Sequence, residues 1–268
     1  QAMKPIIKQV ALVISTFNWP SALELVLESV VRQTKMPDEI LVADDGSYNA
    51  TRQVVEYYQL VHRLPIKHVW QPDKGFRKSL IINKAIRQTS CDYIIQIDGD
   101  MILHRSFIAD HLKAARIDCF VQGSRVLLEA SLTKQLISSG WQPLRPWSQG
   151  IRNRINAIHF PLLAFLFGKK TSSNQNIKAC NLAFWRADYV LVNGYNNEFS
   201  GWGWEDVEFA TRLLQAGCKK KRLKMAGVAY HLHHASSNRD QLQENEIRFI
   251  ETTKNPHWVC PNGYYQAS

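Results

Sequence analysis

The sequence predicts an α/β domain built on a mostly parallel central sheet, and three observations carry that expectation. Short apolar runs alternate with helix-period segments through the first half of the chain, the order in which strand–helix–strand crossovers lay down a parallel sheet. Three of those runs end in polar turns, Thr16-Phe17-Asn18, Asp44-Asp45-Gly46-Ser47 and Asp98-Gly99-Asp100. With 268 residues, 45% of them hydrophobic and 21% charged, the chain can bury one large core and shows none of the apolar depletion of a disordered protein.

The elements follow in order. Val10 to Ser15 is the first strand, and Pro20 and Ser21 open a helix whose apolar positions Leu23, Val26, Leu27 and Val30 recur at helical spacing. Glu39 to Ala43 is the second strand, and Asp45-Gly46-Ser47 is favourable turn chemistry. Thr51 to Val61 reads as a helix, Ile66 to Trp70 as a strand, and Lys78 to Gln88 as a helix with Leu80, Ile81, Ala85 and Ile86 on one face. Tyr93 to Ile97 is a buried strand that runs into Asp98-Gly99-Asp100. In an open α/β sheet the ligand sits beyond the carboxyl ends of the strands, so the three polar turns should converge.

Beyond residue 125 the pattern is irregular, with a basic, aromatic stretch from Trp141 to Lys170 that contains the apolar run Ile155 to Phe167. Gly201-Trp202-Gly203-Trp204-Glu205-Asp206 then leads into a helix from Val207 to Ala216, with Gly217 as its stop. Met225 to Ala229 reads as a strand feeding Tyr230-His231-Leu232-His233-His234.

A net charge of +10 favours an anionic partner, whether a phosphorylated substrate, a membrane surface or nucleic acid. Five widely spaced cysteines, Cys91, Cys119, Cys180, Cys218 and Cys260, lack the paired spacing of zinc sites and read as the reduced, buried thiols of a cytoplasmic protein. No run approaches the ~20 apolar residues of a membrane span, and no apolar signal region follows the amino terminus. Arg152, Arg154, Lys169 and Lys170 flank Ile155 to Phe167, a combination that suits either burial in the core or peripheral contact with a membrane.

The polar turns carry the chemistry. Asp98 and Asp100 supply hard oxygen donors for a divalent metal or for sugar hydroxyls, and Gly99 lets a ligand approach the backbone. Read alone, Asp-Gly-Asp is equally a plain turn. Asp45 can accept a ring N–H of a base that Phe17 bounds on its other side, while Thr16 and Asn18 serve either the nucleotide or the start of the next helix. Around Gly75, Lys74, Arg77 and Lys78 suit phosphate at a helix N-terminus, with Arg77 preferred because a guanidinium grips two oxygens at once. In the Gly-Trp-Gly-Trp-Glu-Asp segment aromatic faces suit pyranose rings, and of Glu205 and Asp206 one can take a proton from a hydroxyl while the other orients sugar hydroxyls. Strand alternation puts His231 and His233 on one side, with His231 the favoured ligand to complete a metal site with Asp100 and His233 the second choice.

These segments in this order resemble the inverting GT-A glycosyltransferases of family 2, particularly members whose C-terminal half is similar to β-1,4-galactosyltransferases and chondroitin polymerases. The resemblance spans most of residues 9 to 235 and implies a GT-A, Rossmann-like nucleotide-diphospho-sugar transferase fold over the single domain 1–268. Residues 9–125 would bind the nucleotide sugar, 126–235 would form the acceptor half, and 236–268 a C-terminal extension. It implies Asp45 at uracil, Asp98 at ribose, Asp100 and His231 on Mn2+ or Mg2+, Asp206 as catalytic base, and Glu205 and Trp202 on the sugar. The donor would be a UDP-sugar and the acceptor a glycan or glycolipid of a bacterial lipopolysaccharide or capsule, joined by a β-linkage, with no nucleic-acid partner. Trp204 stands where the galactosyltransferase motif often has a small residue, so the sugar is open. A nucleotidyltransferase acting on sugar phosphates and a non-catalytic carbohydrate-binding module are the alternatives; neither explains both the strand-end carboxylates and the aromatic Glu-Asp segment.

Overall fold

The computed structural model describes residues 6–168, 170–235, 239–255 and 257–267. The chain runs β1 (Val10–Thr16), α1 (Pro20–Val31), β2 (Glu39–Asp44), α2 (Asn49–Leu60), β3 (Ile66–Trp70), α3 (Lys78–Arg87) and β4 (Tyr93–Asp98). It continues through β5 (Met101–Leu103), α4 (Phe107–Ala114), β6 (Cys119–Gln122), β7 (Val126–Leu128), α5 (Ala130–Ser139), β8 (Ile151–Arg152), α6 (Pro161–Phe167) and β9 (Lys170–Thr171). The last part holds β10 (Asn181–Trp185), α7 (Arg186–Leu191), α8 (Glu205–Gln215), β11 (Lys219–Arg222), β12 (Ala229–His231) and α9 (Leu242–Lys254).

An eight-stranded sheet has the order β3-β2-β1-β4-β10-β6-β11-β9. Its first four strands are parallel, as the alternating pattern predicts, and β10 inserts antiparallel between β4 and β6. Every residue of β1 is buried, which explains why it reads as a continuous apolar run rather than as alternation. On one side Leu12, Ile14, Ile95 and Ile97 pack against Leu23, Val26 and Leu27 of α1; on the other, Val13, Leu41 and Ile94 pack against Ile81, Ala85 and Ile86 of α3. The register fixes where the turns lie: Thr16 pairs with Asp44 and Ser15 with Asp98. Thr16-Phe17, Asp45 and Asp98-Gly99-Asp100 therefore emerge side by side at one edge.

A smaller sheet, β5-β12-β7-β8, sets the second half of the site. β12 pairs antiparallel with β5, bringing His231 opposite Met101. The strand is shorter than its apolar run suggests. Met225 and Gly227 both have positive φ, 56° and 59°, and the N–H of Gly227 bonds to Asp110, so the backbone turns where the sequence reads as extended and the strand begins only at Ala229. The helix expected from Val207 starts at Glu205, with Trp204 entering it at a φ of 72°; Glu205, Asp206 and Glu208 in the first turn favour that start.

All five cysteines are buried and unpaired. Within the irregular stretch Ile155 is 70% and Leu162 71% exposed, so this part of the apolar run lies on the surface rather than in the core. Lys169 lies outside the described residues. Among those residues no helix is long and apolar enough to cross a membrane.

Candidate functional site

A cleft of about 960 Å³ opens at the carboxyl ends of β1, β2 and β4. Its floor includes Thr16, Phe17, Asp45, Asp98, Gly99 and Asp100, and its far wall includes Trp202, Glu205, Asp206 and His231. Segments separated by more than a hundred residues thus share one cavity. A side chain at Gly99 would stand 3.0 Å from the Ser15 carbonyl and the Thr16 side chain, so this glycine lets the turn lie flat against β1.

Asp98 accepts hydrogen bonds through Oδ1 from Ser15 Oγ at 3.0 Å and from Lys78 Nζ at 2.6 Å. Burial opposes its charge, but the Lys78 ammonium outweighs that and holds the carboxyl below its usual range. Burial likewise disfavours the Lys78 ammonium, yet Asp98, Asp206 and Glu205 around it keep it firmly protonated.

Asp100, His231 and His234 form a group whose ligand atoms all lie within 4.8 Å of one another. Asp100 Oδ2 is 3.5 Å from His231 Nε2 and 3.3 Å from His234 Nε2, and Asp100 Oδ1 is buried without a hydrogen-bond partner. His234 Nδ1 lies 2.6 Å from the Ala235 carbonyl; a carbonyl only accepts, so Nδ1 carries a proton, and the Asp100 carboxylate raises the pKa of this imidazole, so a cation binding at Nε2 would take the place of a proton there. Burial pushes His231 toward the neutral form. One orphaned carboxylate oxygen and two imidazole nitrogens fit a divalent cation. His233 is not part of the group: its side chain is exposed and its N–H bonds to Thr133 Oγ1. Alternation stops because β12 ends at His231, and the chain bends so that His234 faces Asp100. A second group, His104, Asp110 and His159, stands outside the cleft and ties Asp110 to His159 and Gly227.

Asp206 Oδ2 accepts the N–H of Ala179 at 2.8 Å, while Oδ1 is buried with no partner. Burial pushes its carboxyl up, against the pull of Lys78. Glu205 turns back to accept the N–H of Gly203 at 3.0 Å; burial and then the charge of Asp206 push its carboxyl well above the ordinary range. The glycines of this segment are demanded by packing. Gly201 and Gly203 have φ of 74° and 110°, and added side chains would meet Gln241 and Leu242 at 2.7 Å. Trp204 stacks on Phe249 of α9 with ring centroids 4.9 Å apart, and Arg239 lies 5.2 Å from the Trp202 ring.

Two expected contacts lie elsewhere. Asp45 takes the backbone N–H of Arg77 and Gln71 Nε2, each at 2.6 Å. Pulling in the Arg77 backbone turns its guanidinium onto the Pro72 carbonyl, and the next residue, Lys78, enters the cleft instead. Asn18 joins the first two turns, accepting from Tyr48 N–H and donating its own N–H to Ser47 Oγ, and does not line the cleft. Sequence reasoning missed His234, Arg125, Lys178 and Arg239 as lining residues. His234 was visible in the histidine run; the other three are brought in by crossovers and by α9, which no local motif announces.

The sequence matches glycosyl transferase family 2 over residues 11–174, a span that contains all three polar turns. The chain belongs to that family. Residues 163–235 of this family 2 glycosyltransferase also match the domain described as the N-terminal domain of galactosyltransferase, which covers the Gly-Trp-Gly-Trp-Glu-Asp segment and His231. It is 29% identical to a chondroitin synthase of Pasteurella multocida over 85% of this chain and 25% of that one. It is 28% identical to a validoxylamine A glucosyltransferase of Streptomyces hygroscopicus over 90% of this chain and 56% of that one. The chain thus spans between a quarter and about half of these relatives' length. In structure it is similar to a mannosyltransferase of Pyrobaculum calidifontis solved with GDP-Man and Mn2+, with a TM-score of 0.65 at 16% identity over 95% of this chain and 67% of that one. The fold is the GT-A fold that the sequence resemblance implies.

Proposed function

We propose that this family 2 glycosyltransferase moves a hexose or N-acetylhexosamine from a UDP-sugar to a hydroxyl of a glycan acceptor with inversion, forming a β-linkage. One observation carries the reading: the buried, unpartnered Oδ1 of Asp206 shares a cleft with the unpartnered Oδ1 of Asp100. The first is placed to accept a proton and the second to ligate a cation. Backbone support through Ala179 leaves Oδ1 of Asp206 as the atom that takes the acceptor's proton. The freed oxygen attacks the anomeric carbon while the bond from that carbon to the diphosphate oxygen breaks, and the electron pair leaves with UDP. A single displacement inverts the anomeric centre.

Asp100, His231 and His234 would hold Mn2+ or Mg2+, which when bound neutralises the charge developing on the diphosphate. Asp98, kept ionised by Lys78, receives the ribose hydroxyls, and Asp45 with Thr16 and Phe17 bounds the uracil. Trp202 offers a sugar-sized aromatic face and is 41% exposed. Glu205, whose proton burial and the Asp206 charge hold more tightly than an ordinary carboxyl does, orients rather than deprotonates.

The acceptor is proposed to be a bacterial surface glycan or its lipid-linked precursor, reached from the cytoplasmic side. Exposed Ile155, Phe160 and Leu162 beside exposed Arg152 and Arg154 support peripheral contact with an anionic membrane. Salt-sensitive flotation with anionic liposomes tests that contact, and no binding at low salt removes it. For the reaction, purified protein is given UDP- and GDP-sugars with Mn2+ and the released nucleotide is identified. UDP release supports the transferase; pyrophosphate release points to nucleotidyl transfer, and no turnover with any donor to a binding module.

A further inference from the structure

Two further cations, Arg125 and Lys178, line the cleft, and the Arg125 charge reaches both Asp206 and His231. Arg125 lies in the crossover from β6 to β7, and Lys178 in the segment before β10; both line the cleft. Among the described residues neither side chain forms a direct ion pair with a carboxylate, although Arg125 is near enough to Asp206 to lower its pKa. Their neighbourhood is built rather than accidental. Gln122 accepts the N–H of Lys178 through Oε1 and donates Nε2 to the carbonyls of Gly123, Lys178 and Asn181, all at 3.0 Å. Asn181 donates to the Ser124 carbonyl at 2.7 Å, and any side chain at Gly123 would collide with Asn181 Oδ1 at 2.2 Å. From the other side, Asn153 and Asn156 both donate to the Arg125 carbonyl at 3.1 Å. Two like charges are thereby held together.

That cost is offset when an anion sits between them. Burial and then the nearby Arg125 charge depress the Lys178 ammonium, so the two cations stand close enough to repel. The same scaffold carries Asp206: Ala179, next to Lys178, donates the N–H that holds its carboxylate. Whatever the two cations bind therefore lies near the hydroxyl that Asp206 faces.

We propose that Arg125 and Lys178 form an anion subsite that selects an acceptor carrying a carboxylate or phosphate close to the hydroxyl that is glycosylated. The inference rests on the transferase reading and adds the acceptor's charge to it. Lys78 serves Asp98 and is not available for this role. The guanidinium of Arg125 meets two anionic oxygens at once, and Lys178 adds a point charge, so a uronate and a phosphate monoester or diester share the chemistry required.

The test uses the whole chain with Mn2+ and a UDP-sugar, and tetrasaccharides of equal length that are uronate-bearing, phosphate-bearing or neutral. Wild type should show an acceptor KM at least tenfold lower for one acidic series than for the neutral one, and the better series identifies the anion. Arg125→Gln and Lys178→Met should raise that KM at least tenfold and abolish the charge preference, with the donor KM moving less than twofold and Arg125→Lys recovering part of the effect. Direct binding of the same tetrasaccharides, followed by ligand-observed NMR, keeps the subsite testable if no donor turns over, an outcome that removes the transferase reading alone. An equal preference for neutral and acidic tetrasaccharides in wild type overturns the proposal. So does a rise in donor KM with the acceptor preference intact, which would assign the two cations to the diphosphate.

Discussion

Lys78 Nζ stands 2.6 Å from Asp98 Oδ1, and the same ammonium is the positive charge felt by Asp206 and Glu205 across the cleft. One lysine thus balances carboxylates from two halves of the chain that are more than a hundred residues apart. Its position at the first residue of α3 also adds the partial positive charge of a helix N-terminus.

Lys78→Met removes that balance. Asp206, already pushed up by burial, loses the cation that holds it down, so a larger share is protonated at a given pH. A base must be ionised, so activity rises with pH through its pKa. The acid limb of the kcat/KM profile should start above the ordinary carboxyl range of about 4 in wild type. In the variant it should move to higher pH, with kcat/KM near pH 7 down at least 100-fold. A pH–rate profile of both proteins checks this.

His234→Ala should weaken Mn2+ binding at least tenfold and His233→Ala less than twofold, read by calorimetry or by Mn2+ electron spin resonance. The pair separates strand alternation, which favours His233, from the observed bend that turns His234 toward Asp100.

Burial and then the Asp206 charge raise the Glu205 carboxyl in the folded chain well above its ordinary value of 4.5. Between the ordinary and the raised value the folded state binds more protons than the unfolded state, so this residue makes stability fall as pH rises. In EDTA, Glu205→Gln should melt a few degrees above wild type at pH 8, with the gap closing toward pH 5.

The contrast between halves explains how much was legible. Val10–Thr16, Glu39–Asp44 and Tyr93–Asp98 are fully or almost fully buried strands, so their apolar runs and the turns after them can be read locally. Asp45, Asp98, Asp100, Glu205, Asp206 and His231 do meet in one cleft. Arg77 was misplaced because Asp45 captures its backbone, a long-range contact that reverses the side chain. Arg125 and Lys178 are hidden in sequence because long-range contacts of Gln122, Asn181, Asn153 and Asn156 bring them to the site. The residues that close the cleft from α9 lie beyond any motif.

Arg212 holds the Glu-Asp helix in place from beneath. It is 1% exposed, pairs with Glu208 at 2.7 Å and donates to the carbonyls of Val192 and Gly194 at 2.6 and 2.7 Å. Arg212→Met leaves Glu208 buried without its cation and should cost roughly 3–5 kcal/mol in urea unfolding.

The central claim is that Asp206 acts as the base opposite a cation-bound diphosphate. Transfer by wild type and Asp206→Asn is to be measured as Mn2+-dependent UDP release with donor and acceptor present, alongside UDP affinity. Wild type should turn over only with the metal, and Asp206→Asn should lose at least 1,000-fold in kcat, roughly the 10²–10⁴-fold worth of a positioned base, while binding UDP as before. Turnover by Asp206→Asn at the wild-type rate, or wild-type UDP release that ignores Mn2+, would contradict the account.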